Sequence, residues 1–242
     1  MQASRWEFEN RALVFGLIFA VAFPLYAVDK QNSAAALANW LGTRLGAAPD
    51  LVAHVVLALA AALVAAAALL RTWASSYLLA DVVYATELKT DSLVADGPYR
   101  HVRNPLYFAN VLMAVGMGAL MSRVGFVVAV LGMVVFCYRL IFREEAAFEA
   151  GQRERYEPYR RAVPRLLPAL RPRIAAGGRR SSWSKGFKAE AWYWGLAVAL
   201  AAFAATLSLK IFAVVLAASL ALLWMSSLAL RKRSQPEIGR RP

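Results

Sequence analysis

Apolar residues run along this chain in long, almost unbroken blocks, with the polar residues gathered between them. The blocks are Ala12 to Val28, Leu51 to Leu70, Pro105 to Met121, Val124 to Phe142, Ala191 to Leu209 and Ile211 to Leu230. Crossing the roughly 30 Å apolar core of a bilayer takes about 20 apolar residues of helix, and the blocks are of that order. The pattern predicts an all-α, polytopic membrane helical bundle of about six spans. Only Ser122 and Arg123 separate the third block from the fourth, so these two form a tight antiparallel hairpin.

The segments between the blocks carry patterns of their own. Trp73, Tyr77, Asp81 and Tyr84 recur at helical spacing and predict a short amphipathic helix at the membrane interface. Tyr156, Tyr159 and Val163 follow at i, i+3, i+7, the stripe of a helix that packs on something, and Pro164 and Pro168 end it. Residues 171–190 read as a flexible basic linker centred on Gly177 and Gly178, suited to lie on anionic headgroups. Trp192, Tyr193 and Trp194 open the last two blocks as an interfacial aromatic belt, and nothing in that hairpin reads as chemical. The expected division is a main membrane domain over residues 1–170, the linker over 171–190, a terminal transmembrane hairpin over 191–230 and a basic tail over 231–242. The sequence holds no internal repeat.

Composition agrees with this picture: 60% of the residues are hydrophobic and 18% charged. The formal charge of +13 invites a nucleic-acid reading, but the basic residues sit in loops between apolar blocks rather than among aromatics on a soluble surface. They obey the positive-inside rule instead. With both termini cytoplasmic, 24 of the 28 lysines and arginines fall on the cytoplasmic side, leaving Lys30, Arg44, Arg123 and Lys210 outside. A cleaved signal peptide fits the start poorly, because Glu7 and Glu9 precede the first block and no small-residue cleavage site closes it. The single cysteine, Cys137, excludes an intramolecular disulfide and reads as packing. His54 and His101 lie far apart without ligand-spaced companions, so no metal site is expected. His54 reads as a locally satisfied polar residue.

One stretch is too polar for its surroundings. DGPYRHVRNPLYF, from Asp96 to Phe108, stands at the mouth of the third block. Asp96-Gly97-Pro98 is a turn signal, and Asn104-Pro105 a helix start, with Asn104 as N-cap and Pro105 where no backbone N–H is needed. The start of that helix, beside Arg100, His101 and Arg103, would welcome a carboxylate or phosphate. Because the fourth block runs back antiparallel, its end, with Arg143, Glu144 and Glu145, returns to the same level. Two carboxylates are therefore expected to meet two arginines and a histidine at the cytoplasmic edge. Interfacial arginines that snorkel and pair with acids would give the same pattern; two chemically different clusters joined by a forced hairpin favour a site.

These residues carry a resemblance. GPYRHVRNPLYFA is similar to the GPYRxxRHPxYxG signature, and EEAAFEAGQRERYEPYRRAVPRLLP to the EE...GxxYxxYxxxVPRxxP segment, of the isoprenylcysteine carboxyl methyltransferase and phospholipid methyltransferase superfamily. The likeness covers about Arg71 to Pro168, including LRTWASSYL. It implies an enzyme that binds S-adenosylmethionine in a cytoplasmic-facing pocket and methylates a lipid or lipid-modified acceptor drawn from the bilayer. Gly97, Pro98, Tyr99 and Arg100 match the opening turn. Arg103, Pro105 and Tyr107 match the RHPxY core, Glu144 and Glu145 the acidic pair, and Tyr156, Tyr159 and Val163 the closing helix. Asn104 stands where the family has His, and Asn cannot act as an acid or base near neutrality; Ala109 stands where it has Gly.

The implied roles follow. Arg103, Tyr107 and Glu145 are the expected catalytic residues. Gly97, Tyr99, Arg100, His101, Asn104, Pro105, Glu144, Tyr156 and Tyr159 are expected to line the cofactor. S-adenosylmethionine carries a sulfonium, an ammonium, a carboxylate, a diol and an adenine, so arginine, glutamate and tyrosine side by side suit it. A carboxylate acceptor needs only orientation by an arginine, whereas an amine acceptor must lose a proton, which a glutamate can take. The residues fit a prenylcysteine-like carboxylate and an aminophospholipid equally. Two rival classes are a sterol-reductase-like enzyme using a nicotinamide cofactor, for which no pyrophosphate-binding glycine loop is seen, and a non-catalytic scaffold or small transporter; against transport, the central parts of the spans hold almost no ionisable residues.

Overall fold

A computed structural model describes residues 2–78 and 94–233, with side chains up to residue 225. Helices make up the described residues apart from short turns, extended connections and one isolated bridge between Asn32 and Ser122. In chain order they are α1 (Arg5–Glu9), α2 (Arg11–Ala22), α3 (Ser33–Leu45), α4 (Pro49–Tyr77), α5 (Pro105–Gly118), α6 (Arg123–Ala162), α7 (Trp183–Ala189), α8 (Ala191–Thr206) and α9 (Leu209–Arg233). One-turn 3-10 helices follow α2 (Phe23–Ala27) and precede α5 (Gly97–Arg100).

Helices α4 and α6 are long and apolar enough to cross a bilayer; Arg11–Ala27, Pro105–Gly118, Ala191–Thr206 and Leu209–Met225 are shorter apolar helices. Their outward faces point the same way. Val124, Val127, Val128, Leu131 and Val135 form an exposed apolar stripe on α6, and Leu51, Val55, Leu59 and Leu69 another on α4. A bilayer accepts such surfaces where water does not, so this is a membrane protein.

Small residues set the core. Ala60, Ala61, Val64 and Ala67 of α4 pack against Met113 and Met117 of α5 and Leu196, Ala197 and Leu200 of α8. A Cβ on Gly116 would lie 2.6 Å from Val64 and 2.7 Å from the Ala60 carbonyl oxygen. Close backbone approach of this kind replaces the hydrophobic driving force that lipid removes.

The bundle has two polar ends. At one, Arg123 grips Asp29 through two hydrogen bonds of 3.0 Å, Tyr26 donates to the Leu120 carbonyl, and Asn32 reaches the carbonyls of Ala119 and Met121. His54 meets the Ala204 carbonyl at 2.6 Å, the local satisfaction expected of it. At the other end lie α1, the 96–104 segment, the later part of α6 and the connection into α7. Ser4 and Glu7 form a capping box there, and Glu7 pairs with Arg139 at 2.7 Å.

Three sequence expectations change. Trp73 and Tyr77 belong to α4 itself rather than to a separate interfacial helix. No Gly or Pro interrupts the run after Leu70, and its polar side chains find partners inside the bundle, so the helix propagates. Asp81 and Tyr84 lie outside the described residues. The closing helix is the last part of α6, continuous with the fourth block across a kink at Gln152 (φ −143°, ψ 42°). Gly151 weakens the helix there, and Pro158 withholds a backbone donor beyond it. The basic linker is tied down. Asp96 accepts N–H bonds from Gly177, Gly178 and Arg179, and residues 183–189 form α7, where a Cβ on Gly186 would lie 2.5 Å from the Thr72 carbonyl oxygen.

Candidate active site

The polar stretch begins with a turn that only glycine fits. Gly97 has φ +55°, and a Cβ there would lie 2.3 Å from the Tyr77 ring. Pro98 and Tyr99 follow, buried, in the 3-10 turn; burial pushes the Tyr99 hydroxyl well above its usual pKa, with Tyr159 and Glu144 adding to the effect. The Tyr99 carbonyl accepts the Tyr159 hydroxyl at 2.9 Å, which docks the closing helix on the turn. Pro105 opens α5 at its first positions, as expected. Asn104, however, does not cap the helix with its side chain. Its amide nitrogen donates to the Arg165 carbonyl at 3.0 Å, because the chain after the closing helix passes directly beside it.

That passing chain explains a second departure. It runs alongside 96–103, with the Arg103 N–H donating to the Pro164 carbonyl, Ala169 N–H to the His101 carbonyl and Arg173 N–H to the Arg100 carbonyl. Arg100 Nε donates to the Ile174 carbonyl and His101 Nδ1 lies 2.9 Å from the Ala169 carbonyl. Both side chains therefore serve this strap instead of facing the two glutamates.

The residues brought together are Arg103, Tyr107, Glu144, Glu145 and Tyr156. Arg103 Nη2 lies 3.3 Å from Glu145 Oε1, and Arg165 clamps the same carboxylate from the other side at 2.9 Å. Tyr107 donates to Glu144 at 2.6 Å, and Arg103 Nη1 sits 3.4 Å from the Tyr156 hydroxyl. Phe148 stacks on Tyr156, which with Tyr159 and Val163 forms a small buried cluster. Glu145 is thus neutralised by two cations, while Glu144 forms no ion pair among the described residues. The Arg103 side chain is 8% exposed, yet its Nε has no hydrogen-bond partner among the described residues. An unmet buried donor carries a free-energy cost, and Arg143 Nε is unmet in the same way.

A second polar cluster escapes a reading of the sequence. Glu190, between α7 and α8 and fully buried, holds Arg71 of α4 through Nε at 2.5 Å and accepts Ser75 at 2.5 Å. Arg71 also reaches Asn110 at 2.8 Å and lies 4.1 Å from the Tyr193 ring centroid, and the Tyr193 hydroxyl contacts Asn110. A lone acid ahead of an aromatic belt gives no sequence signal; Arg71 within LRTWASSYL was the available clue.

Comparison with known proteins bears on both clusters. Residues 55–151 match the family model of the phospholipid methyltransferases. This core is similar to that family. The match takes in Arg71, the whole of DGPYRHVRNPLYF and both glutamates, and stops at Gly151, beside the kink. The family is one of methyltransferases, as the motifs imply. A relative, the cobalt-zinc-cadmium resistance protein CzcN of Cupriavidus metallidurans, is 30% identical over 125 residues, which are 50% of this chain and 57% of that protein. The match therefore spans a little over half the relative's length. No solved structure matches the chain.

Proposed function

We propose that this protein is a membrane-embedded methyltransferase that uses S-adenosylmethionine to methylate an amphiphilic acceptor, either a prenylcysteine-like carboxylate or a phospholipid amine. The observation that carries the reading is the meeting of Arg103 with Glu145, and of Tyr107 with Glu144, inside the segment that matches the phospholipid methyltransferases. In this reading the chain crosses the membrane about six times, with both termini and the site on the cytoplasmic side. The domain divisions at residues 170, 190 and 230 stand as part of the same proposal.

The residues present fit the donor. Arg103, with its unmet Nε, would hold the carboxylate, and Glu144 the ammonium or the diol. Tyr99, Tyr156 and Tyr159 supply aromatic faces, and Gly97, Pro105, Asn104, Arg100 and His101 shape the wall through the strap. S-adenosylmethionine, when bound, supplies a methyl group already activated on a sulfonium. The chain has little proton chemistry left to do: it aligns the partners in line and keeps water out. Glu145 fixes the Arg103 guanidinium, with Arg165 holding the carboxylate from behind. Tyr107 orients the Glu144 carboxylate toward the donor's ammonium or diol; a carboxylate acceptor needs no base, and an amine acceptor reacts in its neutral form.

The test is incubation of the protein, in lipid nanodiscs, with methyl-labelled S-adenosylmethionine and a total lipid extract. Label is expected in one lipid class. Binding of a reduced nicotinamide in place of the methyl donor favours a reductase, and binding of neither a scaffold.

A further inference from the structure

We infer that Arg71, Asn110 and Glu190 are positioning residues for the Tyr107–Glu144 pair, so that the end of the linker at Glu190 and the start of the terminal hairpin at Tyr193, beyond the family-matched core, are part of the working enzyme. The inference rests on the methyl-transfer reading above. Arg71 Nη1 donates to the Asn110 side chain at 2.8 Å and approaches the Leu106 carbonyl at 3.5 Å. Leu106 and Asn110 lie one turn apart on one face of α5, and Tyr107 is the next residue round. Arg71 therefore fixes the rotation of the first turn of α5 from one side, while the Tyr107 hydroxyl reaches Glu144 on the other. A small rotation of that turn would move the tyrosine off its carboxylate.

Arg71 is itself held from outside the matched segment. Glu190 takes its Nε and Nη2, and the Tyr193 ring covers its guanidinium. Glu190 accepts Ser75 as well, and it caps no helix with its side chain. If the hairpin needed only fastening, apolar packing would do it without desolvating two charges, since buried ion pairs seldom add net stability. A fully hydrogen-bonded pair instead fixes direction, and its reach ends one residue from Tyr107.

The experiment places 3-fluorotyrosine at position 107 of the full chain in nanodiscs and reads its fluorine resonance, with kinetics on unlabelled protein. Asn110→Ala cuts Arg71 from α5 and leaves the Arg71–Glu190 pair in place; Glu190→Gln removes the charge that aims Arg71. Each is expected to shift the Tyr107 resonance and lower kcat about tenfold, with KM for the donor within about twofold. Tyr193→Phe, which deletes only a hydroxyl on Asn110, is expected to do the same more weakly and serves if Asn110→Ala does not fold. Trp194→Phe, which removes a hairpin hydrogen bond to Thr72, next to Arg71 on α4, without touching the Arg71, Asn110 or Glu190 side chains, is expected to leave both readouts unchanged. An unmoved resonance in the Asn110, Glu190 and Tyr193 variants overturns the inference, as does a rise in KM with kcat intact. If the parent protein methylates nothing, the methyl-transfer reading fails on its own, and the resonance still decides whether these residues position Tyr107.

Discussion

Two arginine–glutamate clusters lie at the same end of this bundle, and they differ in what is left over. At Arg71–Glu190 each carboxylate oxygen has a partner, and the guanidinium is spread over Glu190, Asn110 and the Tyr193 ring. At Arg103–Glu145 the carboxylate is held by two arginines, yet Arg103 keeps a buried Nε without a partner among the described residues. Glu144 beside it accepts a tyrosine hydroxyl and forms no ion pair among the described residues. A closed network fixes geometry, whereas an open one leaves hydrogen-bonding capacity for something that is not protein.

The largest effect that sharpens this contrast is on stability. Arg71→Met strands the buried Glu190 carboxylate and is expected to cost about 3–5 kcal/mol. The double change Arg71→Met with Glu190→Leu is expected to recover most of that loss in thermal melts without recovering turnover. Recovery of turnover as well would erase the distinction between fastening and positioning. At the open cluster the signs reverse. Arg103→Ala is expected to leave the melt close to the parent's while lowering turnover at least about 100-fold, or roughly 2.7 kcal/mol of transition-state stabilisation. Glu145→Gln is expected to follow it in direction.

Smaller effects test the frame. Gly97→Ala forces a side chain into positive φ and against the Tyr77 ring, and is expected to cost about 1–3 kcal/mol by denaturant titration. At the opposite end, Arg123 holds the Asp29 carboxyl down to about 2, as Arg139 does Glu7. A folded-state pKa below the unfolded one gives stability that is fully present above the ordinary carboxylate range near about 4 and is lost as pH falls toward 2. Asp29→Asn is expected to flatten part of that acid arm in melts taken between those limits, and to leave methyl transfer untouched.

The helical class, the close hairpin of α5 and α6 and the meeting of Arg103 with Glu145 were legible because each depends on local pattern. Apolar blocks make helices, and a turn at Ser122 forces α6 back to the level of Asn104. The stripe of Tyr156, Tyr159 and Val163 was legible for the same reason, and all three are buried together. What escaped depends on pairing at long range. Glu190 meets Arg71 across 119 positions, and no periodicity links a single acid to a single base. Arg100, His101 and Asn104 share a motif with Arg103, but the partners their side chains take were not legible. The strap over 164–179, whose backbone takes their side chains, has no apolar pattern to announce where it runs.

The most direct measurement is transfer of label from methyl-labelled S-adenosylmethionine to a lipid extract, comparing the parent protein with Arg103→Ala in the same nanodiscs. Label appearing in one lipid class with the parent protein, and falling at least about 100-fold with Arg103→Ala while the melt is preserved, is the expected result. No labelled lipid with a folded parent protein, or equal labelling by both, contradicts the assignment of the open cluster as a methyl-transfer site.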